Sequence, residues 1–167
     1  MSKSAENGFG AASRYVSVDG RASKLPQSEL YCCARGVVSQ SISDRRFTDV
    51  AISLGDEQSV GIYYGQSDGT FYLATELNTG ENVGGLAVGD FNNDGHIDVA
   101  AGLMLAQQGV IFFNSGSGQF SRSFFASGAD TVSMTAADLN HSGKTDLIIT
   151  NFGVDFRPPN VDVVFHK

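Results

Sequence analysis

The chain has 167 residues and a net charge of −7, with 18 acidic side chains against 11 basic ones. Hydrophobic residues make up 41%, enough for a packed core, which excludes a disordered chain. Acidity without a Lys/Arg cluster excludes nucleic acid as a partner, because binding it needs basic charge to displace counterions. No apolar run approaches the roughly 18 residues that a membrane-spanning helix requires.

In chain order, residues 1–36 form a poorly defined N-terminal segment. Met1 to Gly8 lacks the apolar stretch of a secretory signal, so either the protein stays inside the cell or the true start of the gene lies upstream. The stretch 8–16, entered through Asn7-Gly8, reads as a turn followed by an outer strand, and Asp19 to Arg35 is polar with no clear pattern. Cys32 and Cys33 are adjacent and have no zinc-site spacing. They read as two ordinary thiols, one on each side of an extended segment, with a vicinal disulfide as the alternative.

A repeat governs the rest of the chain. Asp90-Phe91-Asn92 recurs as Asp138-Leu139-Asn140, and Asp98-Val99-Ala100 recurs as Asp146-Leu147-Ile148. Both pairs are 48 apart (138 − 90 and 146 − 98). A weaker copy lies upstream at a spacing of 49, where Asp49-Val50-Ala51 matches Asp98-Val99-Ala100 and Phe71 matches Phe120. The segments are a degenerate unit at 37–82, a unit at 83–130 and an incomplete unit at 131–167.

In the second unit strands are expected near 83–89, 96–103, 109–114 and 119–126. Leu86 and Val88 alternate with small residues, Val110 to Phe113 is β-branched and aromatic, and Asn114 to Gly118 is a turn cluster. Four short strands in a unit of 40–50 residues is the pattern of a propeller blade, whose two faces need neighbours. The fold class is therefore all-β, with blades of four antiparallel strands in an incomplete or partial propeller of about three units. The third unit runs out after its third strand, near 161–165. Residues 8–16 are a candidate to pair with 161–166 and complete that blade, within one chain or between chains. The alternative is a truncated product with open edges, which are an association hazard.

Two loops carry oxygen-bearing side chains at positions 1, 3, 5 and 9 and Gly at position 6. The first holds Asp90, Asn92, Asp94 and Asp98, with Gly95. The second holds Asp138, Asn140, Ser142 and Asp146, with Gly143. Alternate residues of a curled loop converge, and a hard cation such as Ca²⁺ takes six to eight oxygens. Position 7, here His96 or Lys144, would supply a backbone carbonyl and leave its side chain pointing outward. Mg²⁺ suits less well because it prefers to keep waters. An EF-hand is rejected, because position 12 holds Ala101 or Ile149 instead of Glu and no helices flank the loops. Asp-Gly and Asn clusters are also ordinary turn formers, but two in step with a strand repeat favour a cation. In the first unit Ser41 to Asp49 lacks the pattern, so no calcium is expected there. Arg45 or Arg46 is expected to pair with Asp44 or Asp49, or to be solvated.

At these residues, and at Asp68-Gly69-Thr70-Phe71, the chain resembles the FG-GAP/VCBS repeat family, over roughly 37–167. That family includes integrin α-subunit propellers and several propeller lectins. The resemblance implies Ca²⁺ held by Asp90, Asn92, Asp94, Asp98, Asp138, Asn140, Ser142 and Asp146, with the backbone at His96 and Lys144. It also implies an extracellular or cell-surface setting and adhesion or lectin-like recognition of a glycan or protein. Gln107, Gln108 and the inserted loop 155–160 are candidate ligand contacts. Two alternatives are a polysaccharide-active hydrolase or lyase and a structural fragment with no ligand beyond calcium. No Gly-x-Ser-x-Gly, His-Glu-x-x-His or Cys–His constellation supports catalysis.

Overall fold

The computed structural model describes residues 15–18, 21–24, 36–43, 45–54, 57–153 and 158–166. Strands β1 (Tyr15–Val18) and β2 (Arg21–Lys24) form an antiparallel hairpin. The described part of the expected 8–16 strand, Tyr15 and Val16, pairs with Lys24 and Ser23 instead of with residues 161–166. Residues 8–14 and the Cys32–Cys33 pair lie outside the described residues.

Three sheets follow, one per sequence unit, and every pairing in them is antiparallel. Unit 1 is β3 (Val37–Gln40), β4 (Asp49–Leu54), β5 (Ser59–Gly65) and β6 (Phe71–Asn78). Unit 2 is β7 (Val83–Gly89), β8 (Asp98–Leu103), β9 (Gln108–Asn114) and β10 (Phe120–Ala126). Unit 3 is β11 (Thr131–Ala137), β12 (Asp146–Asn151) and β13 (Asn160–Val164). Each sheet is a meander in chain order, and no α-helix occurs among the described residues. The strands expected from sequence are present. β8 starts at Asp98 instead of 96, because His96 and Ile97 still belong to the loop that Asp98 anchors.

The register repeats as faithfully as the sequence. The first hairpin of each unit closes at Gln40↔Asp49, Gly89↔Asp98 and Ala137↔Asp146, leaving loops 41–48, 90–97 and 138–145. The turn between third and fourth strands also repeats. Gln66 N–H bonds the Thr70 carbonyl at 2.9 Å and Ser115 N–H bonds the Gln119 carbonyl at 3.0 Å. Asp68 accepts from both the N–H and the hydroxyl of Thr70, which fixes the first of these turns.

Strand pleating gives each blade two apolar faces. Ala51, Val60 and Ile62 of unit 1 pack with Leu86, Val99, Ala101, Val110 and Phe112 of unit 2. Ala100, Ile111 and Phe113, on the opposite face of unit 2, pack with Met134, Leu147 and Ile149 of unit 3. Each fully buried aliphatic side chain in these layers contributes about 1.5–3 kcal/mol. The blades approach closely at their first strands, where a Cβ on Gly84 would lie 1.6 Å from the Thr131 carbonyl oxygen. A second cluster in unit 1, with Val50, Ile52 and Tyr63, lies on its other face.

Asp49 is not the arginine partner that the sequence offered in the first unit. Both oxygens of Asp49 are taken by backbone N–H groups, of Ser43 at 2.7 Å and Gly65 at 3.0 Å. Arg45 instead donates to the Tyr72 hydroxyl at 2.9 Å and lies over the Tyr64 ring at 4.9 Å. Asp44 is outside the described residues.

Candidate metal centre

Both aspartate loops sit at the same end of their blades, between first and second strands, and they curl in the same way. Residues 4 and 6 of each adopt left-handed backbone: Asn93 (φ 60°) and Gly95 (φ 89°), then His141 (φ 57°) and Gly143 (φ 79°). Gly at position 6 meets the requirement for positive φ without steric cost.

The curl brings side-chain oxygens onto shared donors. In the first loop, Asp94 N–H is accepted by both Asp90 Oδ1 (3.2 Å) and Asn92 Oδ1 (3.1 Å). Gly95 N–H bonds Asp90 Oδ2 at 2.9 Å. In the second loop, Ser142 N–H is shared by Asp138 Oδ1 and Asn140 Oδ1, both at 3.0 Å, and Gly143 N–H bonds Asp138 Oδ2 at 2.8 Å. Positions 1 and 3 therefore converge in both copies. The loops differ at position 5. Asp94 accepts from His96 N–H and from the Asn92 amide, and the first of these does most to hold its carboxyl below the ordinary range. Ser142 brings no such charge.

Position 9 is different in kind. Asp98 and Asp146 are fully buried, and each carboxylate is tied by two backbone N–H groups. Asp98 takes Phe91 N–H and Asn114 N–H, both at 2.8 Å. Asp146 takes Leu139 N–H at 3.1 Å and His166 N–H at 2.9 Å. Asp49 holds the same post in the unit without an aspartate loop. The position 9 aspartate thus staples the loop to the end of the third strand, whatever else it does. Its partner lies 16 residues on in units 1 and 2 but 20 on in unit 3, which measures the inserted loop 155–160 as four extra residues.

Position 7 also departs from expectation. The His96 side chain does not project freely outward: it is half-buried against the β9–β10 turn, and a Cβ on Gly116 would lie 2.3 Å from its Cε1. Lys144 is half-buried as well. The EF-hand exclusion agrees with the geometry, since Ala101 and Ile149 are fully buried strand residues. Among the described residues, no group of three or more His, Cys, Asp or Glu side chains is arranged to hold a metal. Any cation here would draw on Asn, Ser and backbone oxygens as well as carboxylates. The donor set suits that use. It is all oxygen, and each carboxylate or amide oxygen that accepts one N–H keeps a second lone pair.

Position 2 was not singled out from sequence, yet it is an apolar plug. Ile42 is fully buried between units 1 and 2, and Phe91 packs between units 2 and 3. Leu139 is the third copy and is 41% exposed. The signal was available, as an apolar residue directly after position 1 in every copy. Of the other candidate contacts, Gln107 is exposed in a left-handed turn (φ 50°) and Gln108 begins β9, at the opposite end of the blade from the aspartate loops. Pro158 and Pro159 are exposed, and residues 155–157 lie outside the described residues.

Consecutive meanders of four, four and three strands stacked face to face, each closed by a buried aspartate, are the blades of a β-propeller-type repeat protein. Residues 46–101 match the FG-GAP-like repeat family, so the chain carries an FG-GAP-like repeat spanning most of unit 1 and the first hairpin of unit 2. Repeats of this family are generally non-catalytic modules. No curated protein is matched by this sequence. No helix among the described residues is long and apolar enough to cross a membrane.

Proposed function

We propose that this chain is a calcium-binding propeller module for recognition of a carbohydrate or a protein, with no catalytic step of its own. The reading rests on one observation: the oxygens of positions 1 and 3 converge on a single backbone N–H in both loops. Asp90, Asn92 and Asp94, with the backbone at His96, would hold the cation in unit 2. Asp138, Asn140 and Ser142, with the backbone at Lys144, would hold it in unit 3. Asp98 and Asp146 close each loop from beneath. Bound calcium would supply charge neutralisation and would rigidify the loop end of the blades, where recognition surfaces form. The extracellular or cell-surface setting belongs to the same proposal.

The test is thermal melting of metal-stripped protein titrated with CaCl₂. A ligand that binds only the folded state adds RT ln(1 + [L]/Kd), about 2.7 kcal/mol at a hundredfold excess over Kd. The melting temperature should rise with calcium. Asp90→Ala should remove most of that rise, and Asp44→Ala none. A melting temperature indifferent to calcium would refute the proposed metal.

A further inference from the structure

The first unit departs from the other two where they carry their aspartates, and it departs by reversing the charge. At the 49-residue spacing, Asp90, Asn92 and Asp94 correspond to Ser41, Ser43 and Arg45. The hairpin register is unchanged, with Gln40↔Asp49 matching Gly89↔Asp98. Ser41 cannot gather N–H groups as Asp90 does, and its hydroxyl donates to the Arg45 carbonyl at 3.0 Å. A loop end that offers anionic oxygens in unit 2 therefore offers a guanidinium in unit 1.

That guanidinium is braced. It stacks over Tyr64 at 4.9 Å and donates to the Tyr72 hydroxyl, and the two tyrosine rings meet edge to face at 5.9 Å. Tyr64 and Tyr72 stand where unit 2 has Phe113 and Ser121, so the bracing hydroxyl at Tyr72 is particular to unit 1. Stacking and one hydrogen bond cost Arg45 its rotamer freedom in advance, while four of its five N–H donors have no described protein partner.

Arg45 forms one wall of a cleft of about 410 Å³ between units 1 and 2, within the range of about 300–1,000 Å³ for small-ligand sites. Ser43, Tyr64 and Thr75 line it from unit 1, and Asn114 and Ser117 from unit 2. The Asn114 amide also bonds the Ile42 carbonyl at 2.8 Å, which locks the two walls together. Among the described residues, the lining holds one cation and no carboxylate, in a chain of net charge −7. Its other groups are mostly hydroxyls, an amide and glycine backbone, with Ile42, Ala74 and the Tyr64 ring as the apolar part. Such walls match a small, hydroxyl-rich anion and offer little to apolar side chains.

We infer that the Arg45 cleft between the first two blades binds an acidic sugar residue, a uronate, with its carboxylate on the Arg45 guanidinium and its hydroxyls toward Thr75 and Ser117. This rests on the recognition reading above and places the ligand in a cleft whose unit 2 wall, the β9–β10 turn, adjoins the first calcium loop through Asn114 and Gly116.

The calcium-loaded chain should be titrated with a glucuronate-containing oligosaccharide and with its carboxyl-reduced, neutral form, following backbone amide signals by NMR. The acidic form should saturably shift Thr75, Asn114 and Ser117, and the neutral form should bind at least about tenfold more weakly. Arg45→Gln should cost about the same factor, and Arg46→Gln should cost nothing. Because Arg45→Gln also loses the Tyr72 bond, Ser117→Ala on the opposite wall is the second variant. It should weaken binding severalfold with an unchanged melting temperature. Equal binding of the two forms, or indifference to both cleft variants, would overturn the assignment. So would a glutamate-rich peptide that binds through Arg45 where the saccharide does not. A glycan array on wild type and Arg45→Gln separates the two readings. Glycan binding retained by the variant removes this cleft but leaves carbohydrate recognition standing, and silence of the wild type removes the cleft assignment and carbohydrate recognition together, leaving protein recognition.

Discussion

A buried carboxylate tied by two backbone N–H groups is common to all three blades. Asp49 isolates this role, because its unit has no aspartate loop. Asp49→Asn would place an amide NH₂ against a backbone N–H, losing a charge-assisted bond and leaving a buried donor unmatched. We expect a loss of about 2–4 kcal/mol in chemical denaturation, with the calcium response intact. Asp90→Asn should do the reverse, with little loss of metal-free stability and a reduced calcium shift.

The same residue scale yields a pH dependence. In the metal-free chain the Asp98 carboxyl is pushed up to about 6 from 3.8. Burial is the main cause, opposed by the N–H groups of Asn114 and Phe91, with repulsion from Asp94 and Asp90 added. Between about pH 4 and 6 the folded chain keeps a proton that the unfolded chain has released. Its contribution to stability is therefore complete below about pH 4 and falls as pH rises through 6. Calcium favours the ionised form and should abolish that decline. Melting of wild type and Asp98→Asn across this interval, in metal-free and calcium buffers, checks it. Parallel curves in metal-free buffer would contradict the assignment.

At the scale of the element, the repeat is carried by hairpin register and by close contact between first strands. Gly84 lies against the Thr131 backbone with no room for a Cβ. Gly84→Ala should push β11 off β7 and cost about 3 kcal/mol or more in urea denaturation. Gly80 is a useful contrast. Nothing lies within 4 Å of its added Cβ, but its φ is +74°, so alanine there should cost only about 1 kcal/mol. The strands were readable because alternation, β-branched runs and Asp-Gly turns are local signals. The staple was readable only in part. Spacing marked Asp49, Asp98 and Asp146 as equivalent, but their shared partner is the end of a strand 16 or 20 residues on. The Arg45–Tyr64–Tyr72 stack was hidden for a similar reason, since β5–β6 pairing is what brings Tyr64 beside Tyr72.

At the scale of the whole molecule, blades bury their faces against one another, and among the described residues no such cover lies on the face of unit 3 turned away from unit 2. Leu139, Val161 and Val163 are 41%, 60% and 42% exposed there, and β13 pairs with β12 alone among the described strands. Exposed apolar surface beside an unpaired strand edge promotes association. Sedimentation of the chain should show concentration-dependent self-association, and Val163→Lys should reduce it. A wild type that stays monomeric at high concentration would contradict this.

Short-range pattern was sufficient for the all-β class, the strands and the curl of the two aspartate loops, because pleating, turn formation and loop curling depend on residues close together in the chain. Tertiary pairing settled the rest. Pairing within a blade made position 9 a buried anchor and braced Arg45 on Tyr64 and Tyr72, and packing between blades made position 2 a plug. Those roles depend on which distant strand ends and faces meet, and a repeat period says that units are alike without saying what each one touches.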